Sequence, residues 1–206
     1  MVSNIKFKII NVDILLIIRG NEMSEHVCPV WMGYFLANPL RKLVQNPRSI
    51  LKSYINDGMK ILDIGSAMGF FSIPMARMAG KTGKVVCIDL QKKMLENLEK
   101  KAIKNNLIDR IELRNCSADS LLINDLDGEI DFALAFAVLH EVNSLPVLFK
   151  EVYQSLKSGG KFLIAEPKGH VDEKGFQSTL SIAVESGFKI LKHPPISGSL
   201  TALIVK

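Results

Sequence analysis

Residues 61–76 read ILDIGSAMGFFSIPMA: an apolar run carrying Asp63, a loop with glycines at Gly65 and Gly69, then residues at helical spacing. A glycine loop after a strand lets backbone come close to a ligand, and the next helix offers unpaired N–H groups and the positive end of its dipole. An anionic group suits that position. The spacing matches neither the dinucleotide fingerprint G-x-G-x-x-G nor the phosphate loop GK[ST], because Ala67 stands between the two glycines and no lysine follows. An anion smaller than a pyrophosphate, such as an amino-acid carboxylate, fits what remains.

Working outward, Lys60–Ile64 and residues 85–90 are predicted as buried parallel strands, with a helix over 70–76 between them. Residues 91–106 form an amphipathic helix with Met94, Leu95, Leu98 and Ala102 on one face. Further strands are expected at 111–116, at 130–138, which is apolar except for Asp131, and at 161–165. A helix over 147–156 is expected to stop at Gly159-Gly160, and another covers 173–186. Residues 188–191 and 202–205 close the pattern as a hairpin. The implied class is α/β: a Rossmann-like, doubly wound, mostly parallel seven-stranded sheet with an antiparallel C-terminal hairpin and helices on both faces.

Composition agrees with one sizeable core, since 48% of the 206 residues are hydrophobic and 23% charged. The net charge of +5 is spread along the chain without a run of five like charges of the kind that marks a nucleic-acid tail, so basicity is weak evidence about partners. Cys28, Cys87 and Cys116 stand far apart, which gives no metal or disulfide framework and points to a reducing, cytoplasmic setting. Cys28 and Cys87 read as small buried residues. Near the N-terminus, the apolar residues 12–18 include Asp13 and are much shorter than the ~20 needed to span a membrane. Arg19-Gly20-Asn21-Glu22, which follows, is not a signal-peptide cleavage site. Either translation starts at Met23, or this stretch adds an edge strand or helix.

The second strand ends at Asp89, about twenty residues beyond Gly69, where a carboxylate accepts two ribose hydroxyls in nucleotide-binding sheets. A nucleoside joined to an amino acid satisfies both ends. With LDIGSAMG, VVCIDL, CSADSL, IDFALAFAVLHEV and LKSGGKFLIAEP in that order, the chain resembles the class I S-adenosylmethionine-dependent methyltransferases, including those of the ubiquinone/menaquinone type. The resemblance covers residues 60–167 and implies S-adenosyl-L-methionine as cofactor and S-adenosyl-L-homocysteine as product. It divides the chain into an N-terminal extension and helical cap, 1–58, and a methyltransferase domain, 59–206. It places Asp63, Gly65, Ser66, Ala67 and Gly69 at the methionine end, Asp89 on the ribose, Leu90 on the adenine face, Ser117, Ala118 and Asp119 at the adenine edge, and Phe136 beneath the sulfonium. Ala67 replaces the family's middle glycine, and the family's adenine-contact carboxylate falls on Ser117, with Asp119 two residues on.

An activated methyl group asks mainly for placement, and a base only where the acceptor is a hydroxyl, thiol or acidic carbon. His140, with Glu141 beside it, follows the fourth strand and is the expected base; Glu166 and His170 are expected at the same mouth, with Lys168 available to an anionic substrate. The competing reading of Asp63 and Asp89 is as a cap or turn former, the lesser of the two, while for the His140-Glu141 pair a local cap competes evenly with chemistry. After the fourth strand the sequence lacks the N/D-P-P-Y/F signature of amino-methylating enzymes and the Pro-Cys pair of pyrimidine C5 attack, which favours a small-molecule acceptor, apolar ones included, over nucleic acid. The aromatic stretch 26–43, with Trp31, Tyr34 and Phe35, would supply a helix over the ligand mouth. An RNA methyltransferase, a non-catalytic S-adenosylmethionine-binding subunit and, more remotely, a nicotinamide-dependent dehydrogenase are the alternatives. Oligomeric state is left open.

Overall fold

A computed structural model describes residues 45–206. The short apolar stretch, Met23, Cys28 and the aromatic stretch therefore lie outside the described residues, as does most of the expected extension 1–58. The elements in chain order are α1 (Pro47–Leu51), β1 (Lys60–Ile64), α2 (Ser72–Met78), β2 (Lys84–Asp89), α3 (Lys92–Lys104), β3 (Ile111–Asn115), β4 (Ile130–Phe136), α4 (Leu145–Ser155), β5 (Leu156–Pro167), α5 (Glu173–Glu185), β6 (Lys189–Lys192) and β7 (Ser199–Val205). They build one seven-stranded sheet in the order β3-β2-β1-β4-β5-β7-β6. β1 to β5 run parallel, and β7 is antiparallel to both β5 and β6. Among the described residues no helix is long and apolar enough to cross a membrane.

Alternation along the strands sends successive side chains to two separate cores. Leu62, Ile64, Val86 and Ile88 pack with Leu148, Phe149 and Val152 of α4 and Phe176, Leu180 and Ala183 of α5. Ile61, Val85 and Cys87 pack on the other face with Leu51 of α1, Met75 and Ala76 of α2, and Leu98 and Ala102 of α3. Both faces of the central strands are thus covered, which is why these strands read as continuous apolar runs. Phe149, Phe162 and Phe188 form an aromatic cluster beneath α4, joined by Tyr153 edge-on at 5.2 Å from Phe188.

Two boundaries differ from expectation for identifiable reasons. α4 ends at Ser155 rather than at Gly159-Gly160, because the chain enters β5 directly and Leu156 already pairs with Ile130. The register then jumps to Phe132 opposite Lys161, and the two glycines occupy the intervening bulge. Gly159 has φ +75°, and a Cβ on Gly160 would lie 2.8 Å from the carbonyl oxygen of Lys157, so glycine is required there by backbone crowding. β4 stops at Phe136, two residues early, because Ala137 takes φ +58° and turns the chain.

Gly69 illustrates how the β1–α2 loop is fixed against α3. It has φ +80°, and a Cβ there would overlap Cδ1 of the fully buried Leu98. Gly69→Ala is expected to destabilise the protein by about 1–3 kcal/mol through left-handed strain and overpacking. Urea denaturation checks this, and Leu98→Ala in the same chain should recover the overpacking share. An unchanged midpoint for Gly69→Ala would show that the loop moves away from α3 at no cost.

Candidate active site

The loops that leave β1, β2, β3 and β4 at their carboxyl ends surround a cavity of about 490 Å³. Open parallel sheets place ligands at this end because the strand order reverses there, here between β1 and β4. Its wall combines Asp63 and Gly65–Met68, Asp89 and Leu90, Ser117–Asp119, Phe136–Val138, and Glu141 with the start of α4.

The first loop is stitched to β2 by main-chain and side-chain bonds. Ser66 N–H donates to the carbonyl of Ile88 at 2.9 Å, and Ala67 N–H donates to Asp89 Oδ2 at 2.8 Å. Ala67 has φ +45°, a conformation that a residue with a Cβ adopts at a cost of roughly 1–2 kcal/mol. The bond to Asp89 holds it there. Asp89 Oδ1 accepts a second N–H, from Gln91 at 2.8 Å, and burial raises the Asp89 pKa while these two bonds oppose the rise. Gly65, at φ +69°, faces Val138: a Cβ on Gly65 would lie 2.5 Å from Val138 Cγ2. The β1 and β4 loops therefore interlock.

Asp63 is buried at the cavity floor and accepts a hydrogen bond from Ser72 Oγ at 2.5 Å. Burial pushes its pKa up to about 7, with the Ser72 bond opposing and the neighbouring Asp89 adding to the rise. The carboxylate thus meets the Ser72 hydroxyl of α2 and lines the cavity, while the first turn of α2 receives no side-chain cap. Ser66 Oγ, in the same loop, is buried without a hydrogen-bond partner among the described residues. At the far end Ser117 and Ser120 close a small turn, Ser120 N–H donating to Ser117 Oγ at 3.1 Å. Phe136 packs on Phe71 with ring centroids 4.5 Å apart.

Of the residues singled out in the sequence, Asp63, Gly65, Ser66, Ala67, Asp89, Leu90, Ser117, Ala118, Asp119, Phe136 and Glu141 line the cavity. Gly69 does not, since it faces Leu98. His140 is also absent from the wall. Its Nδ1 lies 2.5 Å from Glu166 Oε2, and because a carboxylate only accepts, Nδ1 carries the proton. Glu166 Oε1 accepts from the N–H groups of Val138 and Leu139, each at 3.0 Å. Buried at 1% exposure near the end of β5, Glu166 organises the whole turn after β4. The His140 bond to Glu166 raises the imidazole pKa, against desolvation. His170 meets the His140 ring edge to face at 5.1 Å, and burial lowers its own pKa. Lys168 lies elsewhere, in a second depression beside residues 193–201.

Glu151 of α4 was not singled out. It accepts from Ser120 Oγ at 2.5 Å and Leu121 N–H at 2.8 Å, bracing the loop after β3. The available signal is a carboxylate beside Leu148 and Val152, on the stripe of α4 that faces the core.

A family model described as a methyltransferase domain matches residues 55–192. The ubiquinone/menaquinone biosynthesis C-methyltransferase of Haemophilus ducreyi is 30% identical over 114 residues, covering 55% of this chain and 43% of that protein. The ribosomal protein L11 methyltransferase of Dictyoglomus turgidum is 29% identical over 143 residues, covering 69% of this chain and 43% of that protein. The chain thus spans less than half the length of these curated relatives. A crystal structure of an S-adenosylmethionine-dependent methyltransferase from Aquifex aeolicus superposes with a TM-score of 0.76 at 21% identity, covering 87% of this chain and 98% of that one, which shows the fold. With the family model matched across the greater part of its sequence, and with the sheet order and cavity described above, the chain belongs to the methyltransferase-domain family of class I S-adenosylmethionine-dependent fold.

Proposed function

We propose that the cavity holds S-adenosylmethionine and that the protein transfers its methyl group to a small-molecule acceptor. The observation that carries this reading is convergence: residues from four strand ends, scattered from Asp63 to Phe136 in sequence, line one cavity. The donor set suits such a ligand. Each Asp89 oxygen holds one backbone N–H and keeps a lone pair for a ribose hydroxyl. Asp63 is costly to ionise where it sits, and an ammonium group beside it would restore its charge. The unpartnered hydroxyl of Ser66 adds a polar group to the same loop.

In this reading Asp63 and the loop Gly65–Ala67 take the amino-acid end, Asp89 the ribose, and Leu90 with Ser117, Ala118 and Asp119 the adenine. Gly69 supports the loop through α3 without touching the ligand. Bound there, the sulfonium supplies a methyl group that is already activated, so the chain's task is to place an acceptor against it and keep water away. Phe70, Phe71, Phe136 and Val142 give the cavity a largely apolar wall, which favours a small acceptor with an apolar body. The ubiquinone/menaquinone relatives act, by their names, on carbon in quinone biosynthesis, and an aromatic acceptor is the finer form of this proposal. A cytoplasmic setting is part of the same reading.

Calorimetry with S-adenosylmethionine and NADH in parallel tests the cofactor: binding of the first alone is expected, and binding of NADH alone would overturn the proposal. Asp89→Ala should weaken S-adenosylmethionine at least ten-fold, since a hydrogen bond to a charged acceptor is worth about 1.5–3 kcal/mol. The variant should also lose stability, because the N–H groups of Ala67 and Gln91 lose their acceptor. The pH dependence has a definite sign. Below about 7 Asp63 is protonated, and a cationic ligand favours its ionised form, so binding releases a proton. Affinity is therefore expected to climb with pH up to that value, by at most about ten-fold per unit, and to level off above it. Asp63→Asn should flatten the profile; a profile equally steep in the variant would assign the proton to another group.

A further inference from the structure

Deepening the methyl-transfer reading, on which it rests, we propose that Glu141 takes the proton of the acceptor and that Glu166, acting through His140, positions it, so that the acceptor carries hydrogen on a hydroxyl or amine. The chain of groups is continuous. Glu166 Oε2 binds His140 Nδ1 at 2.5 Å, His140 Nε2 lies 3.8 Å from Glu141 Oε1, and Glu141 is the member on the cavity wall. Glu166 itself is fixed by the N–H groups of Val138 and Leu139, the residues that lead from β4 into this turn.

His140 is the expected base by sequence, yet its surroundings argue for another role. Glu166 holds its Nδ1 proton and, together with Glu141, favours the charged imidazolium. An imidazolium has no lone pair with which to take a proton. Placed between two carboxylates, 2.5 Å from Glu166 and 3.8 Å from Glu141, it balances their charge. His170, which packs on the ring, has its pKa lowered by burial and by His140, so it tends to the neutral form and adds no competing cation. Glu166, Glu141 and His170 are the titratable groups that act on His140.

A carboxylate only accepts hydrogen bonds, so a ligand group that pairs with Glu141 is a donor. In the transfer, the acceptor's bond to hydrogen breaks and the proton passes to the Glu141 carboxylate. The electron pair left on the acceptor atom forms the new bond to the methyl carbon, and the carbon–sulfur pair returns to sulfur. The proton then leaves Glu141 for solvent, which completes the cycle without an oxidant or a further reactant.

The test uses the full chain saturated with S-adenosylhomocysteine, with phenol and benzylamine as donor probes and toluene as the probe lacking a donor. Phenol and benzylamine should bind at least ten-fold tighter than toluene, and Glu141→Gln, which keeps a neutral acceptor but loses the charge, should cut that preference several-fold while S-adenosylhomocysteine affinity stays within about three-fold. His140→Gln separates positioning from packing: without the cation Glu141 protonates more readily, so the pH midpoint at which the donor preference disappears should move upward. Equal affinity for the three probes, or binding of none, overturns the proposal. So does an unmoved midpoint in His140→Gln, or loss of S-adenosylhomocysteine in Glu141→Gln, which would place Glu141 with the cofactor. Failure of the wild type to bind S-adenosylhomocysteine instead overturns the methyl-transfer reading beneath it.

Discussion

The hydrogen bond from Ala67 to Asp89 is the constraint on which the site depends. One carboxylate oxygen at the tip of β2 holds a residue in a left-handed conformation that its Cβ disfavours, and so sets the path of the loop after β1. That path puts Gly65 against Val138 and Gly69 against Leu98, which seats the loop between β4 on one side and α3 on the other. Ala67, which has a Cβ, relies on a neighbour's side chain for that conformation. The same residue lines the cavity, so in the proposed reading one carboxylate serves loop geometry and ligand recognition together.

A second carboxylate plays the corresponding part at the next strand crossing. Glu166 comes from β5 but organises the turn after β4, taking two main-chain N–H groups on one oxygen and an imidazole on the other. Glu151, from α4, does likewise for the loop after β3. Three of the four loops around the cavity, those after β1, β3 and β4, are thus tied by an acid belonging to a different element. Acids placed this way contribute little through net charge; they act by accepting N–H groups that the ends of strands leave unpaired.

What could be read in the sequence was what repeats or sits close together. The apolar runs of β1, β2 and β4 are legible because covering helices demand apolar residues on both faces, and the loop from Gly65 to Gly69 because its glycines stand within a few residues of a strand end. Asp89 was recognisable from its distance beyond that loop. The bulge at Gly159-Gly160 was not, since a glycine pair after a helix looks the same whether it ends the helix or lets a strand fold outward; pairing of Leu156 with Ile130 decides it. Glu166 and His140 are 26 residues apart, and no local pattern announces that their side chains meet. Nor does the sequence reveal that Glu141, rather than His140, lies on the cavity wall, because adjacent residues in a tight turn point in different directions.

The interlock of Gly65 with Val138 has a consequence for how a ligand is received. The bonds that fix both loops are made within the polypeptide itself, so the ordering of the cavity floor is completed when the chain folds. A ligand arriving there meets a preorganised surface and spends little of its interaction energy on immobilising backbone. Amide hydrogens at Ser66, Ala67, Val138 and Leu139 are all engaged in hydrogen bonds, as those of the sheet are, and are expected to exchange slowly with them. Discrimination between ligands then falls to the fixed shape and donor pattern of the floor, leaving adaptation to the outer rim, where Leu90 and the Ser117–Ser120 turn stand more open to solvent.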